Sequence, residues 1–141
     1  MSTDSTHGGH IHVLAREECL TLLTTTTVGL LAFVDEQGPQ LVPVNFALID
    51  DAIYFRTLPD GFLAQLRGDA RPVAFAVDHH DDLYRDGWNV TVRGSVHHVE
   101  DRATINLVLG HDRLRTWAGG VRPMVMRITI DSIDGRRVSG H

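Results

Sequence analysis

The chain has 141 residues, 43% hydrophobic and 22% charged, the length and composition of a single globular domain. A formal net charge of −5 argues against a general nucleic-acid binder, whose affinity would rest on a basic surface. All 13 basic residues are arginine, so there is no lysine for a Schiff base or a P-loop, and the single cysteine, Cys19, excludes an internal disulfide or a multi-cysteine metal site.

Residues 1–12 (MSTDSTHGGHIH) read as a disordered or loosely held tail ahead of one domain over residues 13–141. The tail has no basic flank before an apolar stretch, so it is not a secretory signal, and no apolar run is long enough to cross a bilayer. A cytoplasmic protein without a membrane partner is therefore expected. His7, His10 and His12 on such a tail are incidental. Ala15–Leu23 carries apolar residues at helical spacing and predicts a short amphipathic helix, with Cys19 a buried structural thiol.

Strands follow. Val28–Val34 is apolar throughout, and Asp35-Glu36-Gln37-Gly38 is a turn that makes it one arm of a hairpin. In Leu41–Leu48, Val42, Val44, Phe46 and Leu48 share one face, with Leu41, Pro43, Asn45 and Ala47 on the other. Pro43 marks an edge or a bulge, because proline cannot donate to a ladder. Asp50-Asp51 turns the chain into Ala52–Arg56, expected to pair with Leu41–Leu48. A helix over about Asp60–Arg67 comes next, with Asp60 able to cap it, then a strand at Val73–Val77. The long segment Trp88–Glu100 alternates Trp88, Val90, Val92, Gly94 and Val96 against Asn89, Thr91, Arg93, Ser95 and His97. Asp101 caps a helix to about Gly110, and a Gly-rich loop at Trp117–Gly120 leads to a last strand at Met124–Ile133. Six short strands joined by turns, with three small helices, predict a mainly β, antiparallel, closed or nearly closed barrel.

Asp78-His79-His80-Asp81-Asp82 is the densest set of metal-ligand residue types, but neighbours in a strand point to opposite faces, and a solvated connector is the plainer reading. There is no Gly-x-Ser-x-Gly elbow, and the paired carboxylates fall in turns. With no self-sufficient catalytic set, chemistry would rest on a bound cofactor. An outer groove is the better candidate. Pro43 and Asn45 would supply one wall, Arg56 and Thr57 one end, and Asn89, Thr91 and Arg93 a polar side; the plain alternative is a solvated barrel exterior.

Five stretches, "EECLTLLTTTTVGLLAFVDEQGPQLVPVNFAL", "IYFRTLPDGFLAQL", "PVAFAVD", "GWNVTVRGSV" and "ITIDSIDGRRVSG", resemble in order the pyridoxamine 5′-phosphate oxidase-related, FMN-binding split β-barrel proteins. The resemblance implies a homodimer holding FMN against the barrel exterior at the subunit interface, and a two-electron oxidoreductase acting on a small-molecule substrate. It places Val42, Pro43, Val44 and Asn45 along the flavin ring, and Arg56 and Thr57 at the ribityl-phosphate arm. Trp88 would sit near the ring from one of the subunits. Gly61, Phe62 and Leu63 would fall where relatives hold the phosphate, although Phe62 stands in place of the usual cation; Arg56, or Arg93 or Arg127 from the partner subunit, are the substitutes. The other readings are a split-barrel binding protein with weak or no FMN that holds deazaflavin or haem (the latter through His97 or His98), and a cofactor-free dimeric scaffold.

Overall fold

The computed structural model describes residues 10–114 and 123–140. Among the described residues there are eight strands: β1 (His10–Val13), β2 (Val28–Asp35), β3 (Gly38–Asn45), β4 (Ala47–Ile49), β5 (Ala52–Thr57), β6 (Arg71–Asp81), β7 (Asp86–His98) and β8 (Met124–Ser139). Two α-helices, α1 (Arg16–Leu23) and α2 (Arg102–Leu109), and 3-10 turns at Phe62–Leu66 and Asp112–Leu114 complete the described elements. All strand pairs are antiparallel, in the order β3-β2-β6-β7-β8-β5-β4, with β1 added beside β8.

The two ends of that sheet are one piece of chain. β3 pairs with β2, β4 pairs with β5, and only Phe46 lies between them. The single predicted strand Leu41–Leu48 is thus divided, and its halves join opposite edges, so the sheet curls into a split barrel. Phe46 marks the split: its N–H donates to the Thr27 carbonyl at 3.0 Å while its ring enters the core against Phe75, edge to face at 4.9 Å. The division also ends the expected alternation, since Ala47 is buried on the far side of the sheet.

Inward positions of every long strand fill the barrel, led by Leu31, Phe33, Ile53, Phe55, Phe75, Val90, Val92, Met126 and Ile128. Gly29 leaves room for Phe75, whose ring tip would lie 2.2 Å from a Cβ at that position. α1 closes the barrel with Cys19, Leu20 and Leu23, and Glu18 reaches back to the Ala15 N–H at 2.9 Å. Cys19 is buried as expected, and burial, then the nearby Asp134 and Glu18 charges, pushes its thiol pKa up, away from thiolate character. No described helix is long and apolar enough to cross a membrane.

Several expectations are corrected. His10–Val13, within the segment read as tail, forms a strand on the C-terminal half of β8; residues 1–9, with His7, lie outside the described residues. The segment after Thr57 is a 3-10 turn whose cap is Gly61, so Asp60 does not cap it. β8 continues to Ser139, because both β7 and β1 offer it partners beyond Ile133. Asp101 does cap α2, accepting from the Thr104 hydroxyl at 2.7 Å and the Thr104 N–H at 2.9 Å, which together hold its carboxyl below the ordinary 3.8. The Gly-rich loop at Trp117–Gly120 lies outside the described residues.

Candidate functional site

The outer surface of the barrel has two unlike halves. Over β5 and β8, α2 and the following 3-10 turn lay Val108 and Leu114 on Ala47, Tyr54, Val99 and Val125, forming a second core. Over β2, β3 and β6 nothing described covers the sheet. There, outward positions pair across strands as Leu30 with Pro43 and Ala76, and Ala32 with Leu41 and Ala74. Val28, Leu30, Val34 and Leu41 are exposed, Val34 and Leu41 by 65% and 64%. Large apolar side chains left in one contiguous patch mark a binding surface.

A groove of about 600 Å³ crosses one end of this bare face. Its floor comes from Ala32–Val34 of β2 and Pro72–Ala74 of β6, Pro39 and Gln40 of β3 form one wall, and Arg71, Arg93 and Asp131 bring charge to it. A bulge builds the charged side. Arg93 pairs with Ser132 but Gly94 pairs with Ile130, so Asp131 is an extra residue on β8. Only glycine serves at the step, since a Cβ on Gly94 would lie 1.7 Å from the Thr129 carbonyl oxygen. Arg93 holds Asp134 at 3.1 Å with both side chains more than half exposed, an ion pair worth about 0.2–1 kcal/mol that a stronger anion can displace. Arg71 is half-buried, and its guanidinium donates to the Gln65 carbonyl at 3.4 Å.

The sequence-derived site residues divide among several places. Pro43 and Asn45 face outward on β3, which among the described strands pairs on one side only, with β2, as suits its prolines. Val42 and Val44 turn toward the core, so their outward contribution is backbone. Arg93 lines the groove. Arg56 and Thr57 do not pair with β3; they extend past β4 and face Val125 and Met124 of β8, and Val125 belongs to the α2-covered side. Gly61 sits against Thr57, with its Cβ position 3.4 Å from the Thr57 hydroxyl. Leu63 is buried in the barrel, while Phe62 is half exposed with its ring centroid 5.9 Å from Phe33. The aromatic ring at the expected cation position is therefore a partial lid on the barrel end.

Trp88 is far from Arg93 along β7, about 17 Å for five residues of strand. It packs partly against the core and faces His79 at 6.2 Å between ring centroids. Asp78–Asp81 belong to β6 rather than to a connector, and among the described residues no three ligating groups are placed to hold a metal ion. His97 and His98 lie on opposite faces of β7, and the His97 Nε2 is 3.5 Å from the Thr129 hydroxyl. Arg71, Gln40, Pro39 and Pro72 are groove residues that sequence reasoning missed. Their signal lies in two registers that local patterning does not carry: β6–β7 sets Arg71 and Pro72 beside Arg93, and β2–β6, between segments some 40 residues apart, brings Pro39 and Gln40 to them.

A curled antiparallel split barrel with a bare, groove-bearing outer face defines a class. The pyridoxamine 5′-phosphate oxidase family model matches residues 15–137, and the chain belongs to that family. Among solved structures it is similar to the FAD binding protein from Mycobacterium smegmatis, with 26% identity, a TM-score of 0.79, and coverage of 91% of this chain and 98% of that one. A FAD-binding protein from Mesorhizobium loti, 24% identical with a TM-score of 0.71 over 94% of this chain and 99% of that one, shares the fold. An uncharacterised Mycobacterium tuberculosis protein, Rv0080, is 28% identical over 130 residues, 89% of this chain and 84% of that protein.

Proposed function

We propose that this chain is a homodimeric flavin-binding oxidoreductase that holds FMN on the bare face of β2, β3 and β6. The observation that carries the reading is the groove itself, where an exposed apolar surface and two guanidiniums occur together outside the core. The residues fit a flavin in three respects. Leu30, Pro43, Ala74 and Ala76 offer a flat apolar surface to a ring system. The unpaired side of β3 offers backbone donors and acceptors to the ring's polar edge. Arg93, released from its exposed ion pair, offers a charge-assisted bond to a phosphate, worth about 1.5–3 kcal/mol. The Mycobacterium smegmatis relative, described as binding FAD, supports a flavin as the ligand.

Bound there, the flavin would supply two-electron transfer to a small organic substrate. The chain's own part is to bind and orient, since the groove presents no described acid–base pair of its own. Ala32, Ala74 and Pro72 keep the floor low and apolar, and Val34 and Leu41 exclude water from its edge.

Titrating the purified protein with riboflavin, FMN and FAD tests the reading. FMN is expected to bind more tightly than riboflavin, and Arg93→Ala to weaken FMN by about tenfold or more while leaving riboflavin unchanged. Arg56→Ala separates the two phosphate positions: the groove keeps FMN affinity, whereas a phosphate held by Arg56 and Thr57 loses it. Absence of binding by all three ligands would overturn the proposal.

A further inference from the structure

The groove does not end at its charged side. A second cavity, of about 390 Å³, adjoins it at the turn between β2 and β3, and Val34 and Arg71 line both. Its other walls are Asp35, Glu36 and Gln37 of the turn, and Gln65 of the 3-10 turn that follows β5. The groove has an apolar floor, whereas the extension is walled by polar side chains apart from Val34. FMN with its phosphate on Arg93 uses neither Arg71 nor the extension.

Arg71 stands where the two spaces meet. It is half-buried, and the one hydrogen bond its guanidinium makes among the described residues is the long contact to the Gln65 carbonyl at 3.4 Å. A guanidinium has five N–H donors, so most of its bonding capacity is open. Along β6, Arg71 precedes by three residues Ala74, which lies opposite Arg93, so the two arginines follow one another about 10 Å apart in the backbone. Long side chains at that spacing can converge on adjacent phosphates, each taken bidentately. Beyond Arg71 the charge reverses. Asp35 and Glu36 are unsuited to a further phosphate and suited to accept from hydroxyl and amine groups. The Asp35 carboxylate is fixed in place by the Gln37 N–H at 2.8 Å and the Gln40 side-chain amide at 3.1 Å. From Leu30, beneath the ring, to Val34, at the extension, β2 runs about 13 Å, a span that an extended ribityl–pyrophosphate arm covers.

We propose that the extension is a nucleoside subsite and that the preferred ligand of this face is the dinucleotide FAD. Arg93 holds the phosphate next to the ribityl arm, Arg71 holds the second phosphate, and the Asp35–Gln37 turn with Gln65 receives the adenosine. Val34 gives the adenine an apolar contact, and the carboxylates accept from the ribose hydroxyls. This rests on the flavin reading above and deepens it: FMN fills the first part of a path that continues over the end of the sheet.

Comparing FAD with FMN on the full chain tests it. Wild-type protein is expected to bind FAD at least about tenfold more tightly than FMN, the return on one further charge-assisted contact. Arg71→Gln keeps the stem of the side chain and is expected to remove that advantage while leaving FMN affinity within about twofold, which also reports that the variant is folded. A second readout needs no substitution. Free FAD stacks its adenine on the isoalloxazine ring and its fluorescence lifetime is shortened; FAD stretched over both cavities cannot stack, so its bound lifetime is expected to equal that of bound FMN. FAD no tighter than FMN, equal losses of both ligands in Arg71→Gln, or a bound FAD that keeps the short lifetime of the stacked form would overturn the proposal and leave the flavin reading standing. Failure of riboflavin, FMN and FAD alike to bind would overturn both.

Discussion

The two outer faces of the barrel are built from the same kind of strand and are treated oppositely. On the β5–β8 face, outward residues Tyr54 and Val125 are sealed beneath Val108 and Leu114, and Arg113 donates to the Thr24 and Thr26 carbonyls to lash the covering turn to the loop after α1. On the β2–β3–β6 face, outward residues Leu30, Val34 and Leu41 are as apolar and have no cover among the described residues. Among the described residues a lid covers one apolar face and not the other, the division expected if the covered face serves folding and the bare face serves the proposed flavin.

Placing a charge on each face breaks the comparison most sharply. Val108→Asp, beneath α2, strands a carboxylate in a fully buried position and is expected to cost about 3–5 kcal/mol of unfolding free energy in a denaturant titration. Leu30→Asp on the bare face is expected to leave that free energy within about 0.5 kcal/mol while weakening FMN binding and dimerisation by about tenfold or more. Equal stability losses from the two would show that the bare face is ordinary core surface.

Acid sharpens the same contrast more gently. The Asp101 carboxyl is held below its ordinary value of 3.8 by the Thr104 hydroxyl and N–H. Its contribution is complete above the unfolded-state value and is lost as pH falls through the depressed folded value. Hydrogen exchange in α2 is expected to quicken below about pH 3.8, ahead of β2 and β3, and Asp101→Ala to remove that step. Asp35, lowered chiefly by its bond to Gln40 at the β2–β3 turn, is shifted in the same direction, so that hairpin also loses a stabilising contact as its carboxyl protonates.

Local chemistry made much of the fold legible. The Asp101 cap, the β2–β3 hairpin at Asp35–Gly38 and the alternation of Val90, Val92 and Val96 into the core all follow from neighbours in sequence. What sequence could not display was decided by distant partners. Phe46 divides a strand because two far edges compete for its halves, and His10–Val13 becomes a strand only because β8 runs on to receive it. The same limit applied to the site. Pro43, Asn45 and Arg93 were legible as outward-facing, yet Arg71 joins Arg93 only through the β6–β7 register, and Pro39 and Gln40 join both only through the β2–β6 pairing. The uniform apolar run Val28–Val34 gave no sign that its outward half would stay uncovered. Phe62, conspicuous as a missing cation, proved to be packing against Phe33.

Sedimentation velocity of the protein with added FMN, followed at the flavin's own visible absorbance, addresses the central claim most directly. The account predicts that the flavin moves in a single boundary at twice the mass of the 15.6 kDa chain. Flavin left behind while the protein sediments alone would contradict it.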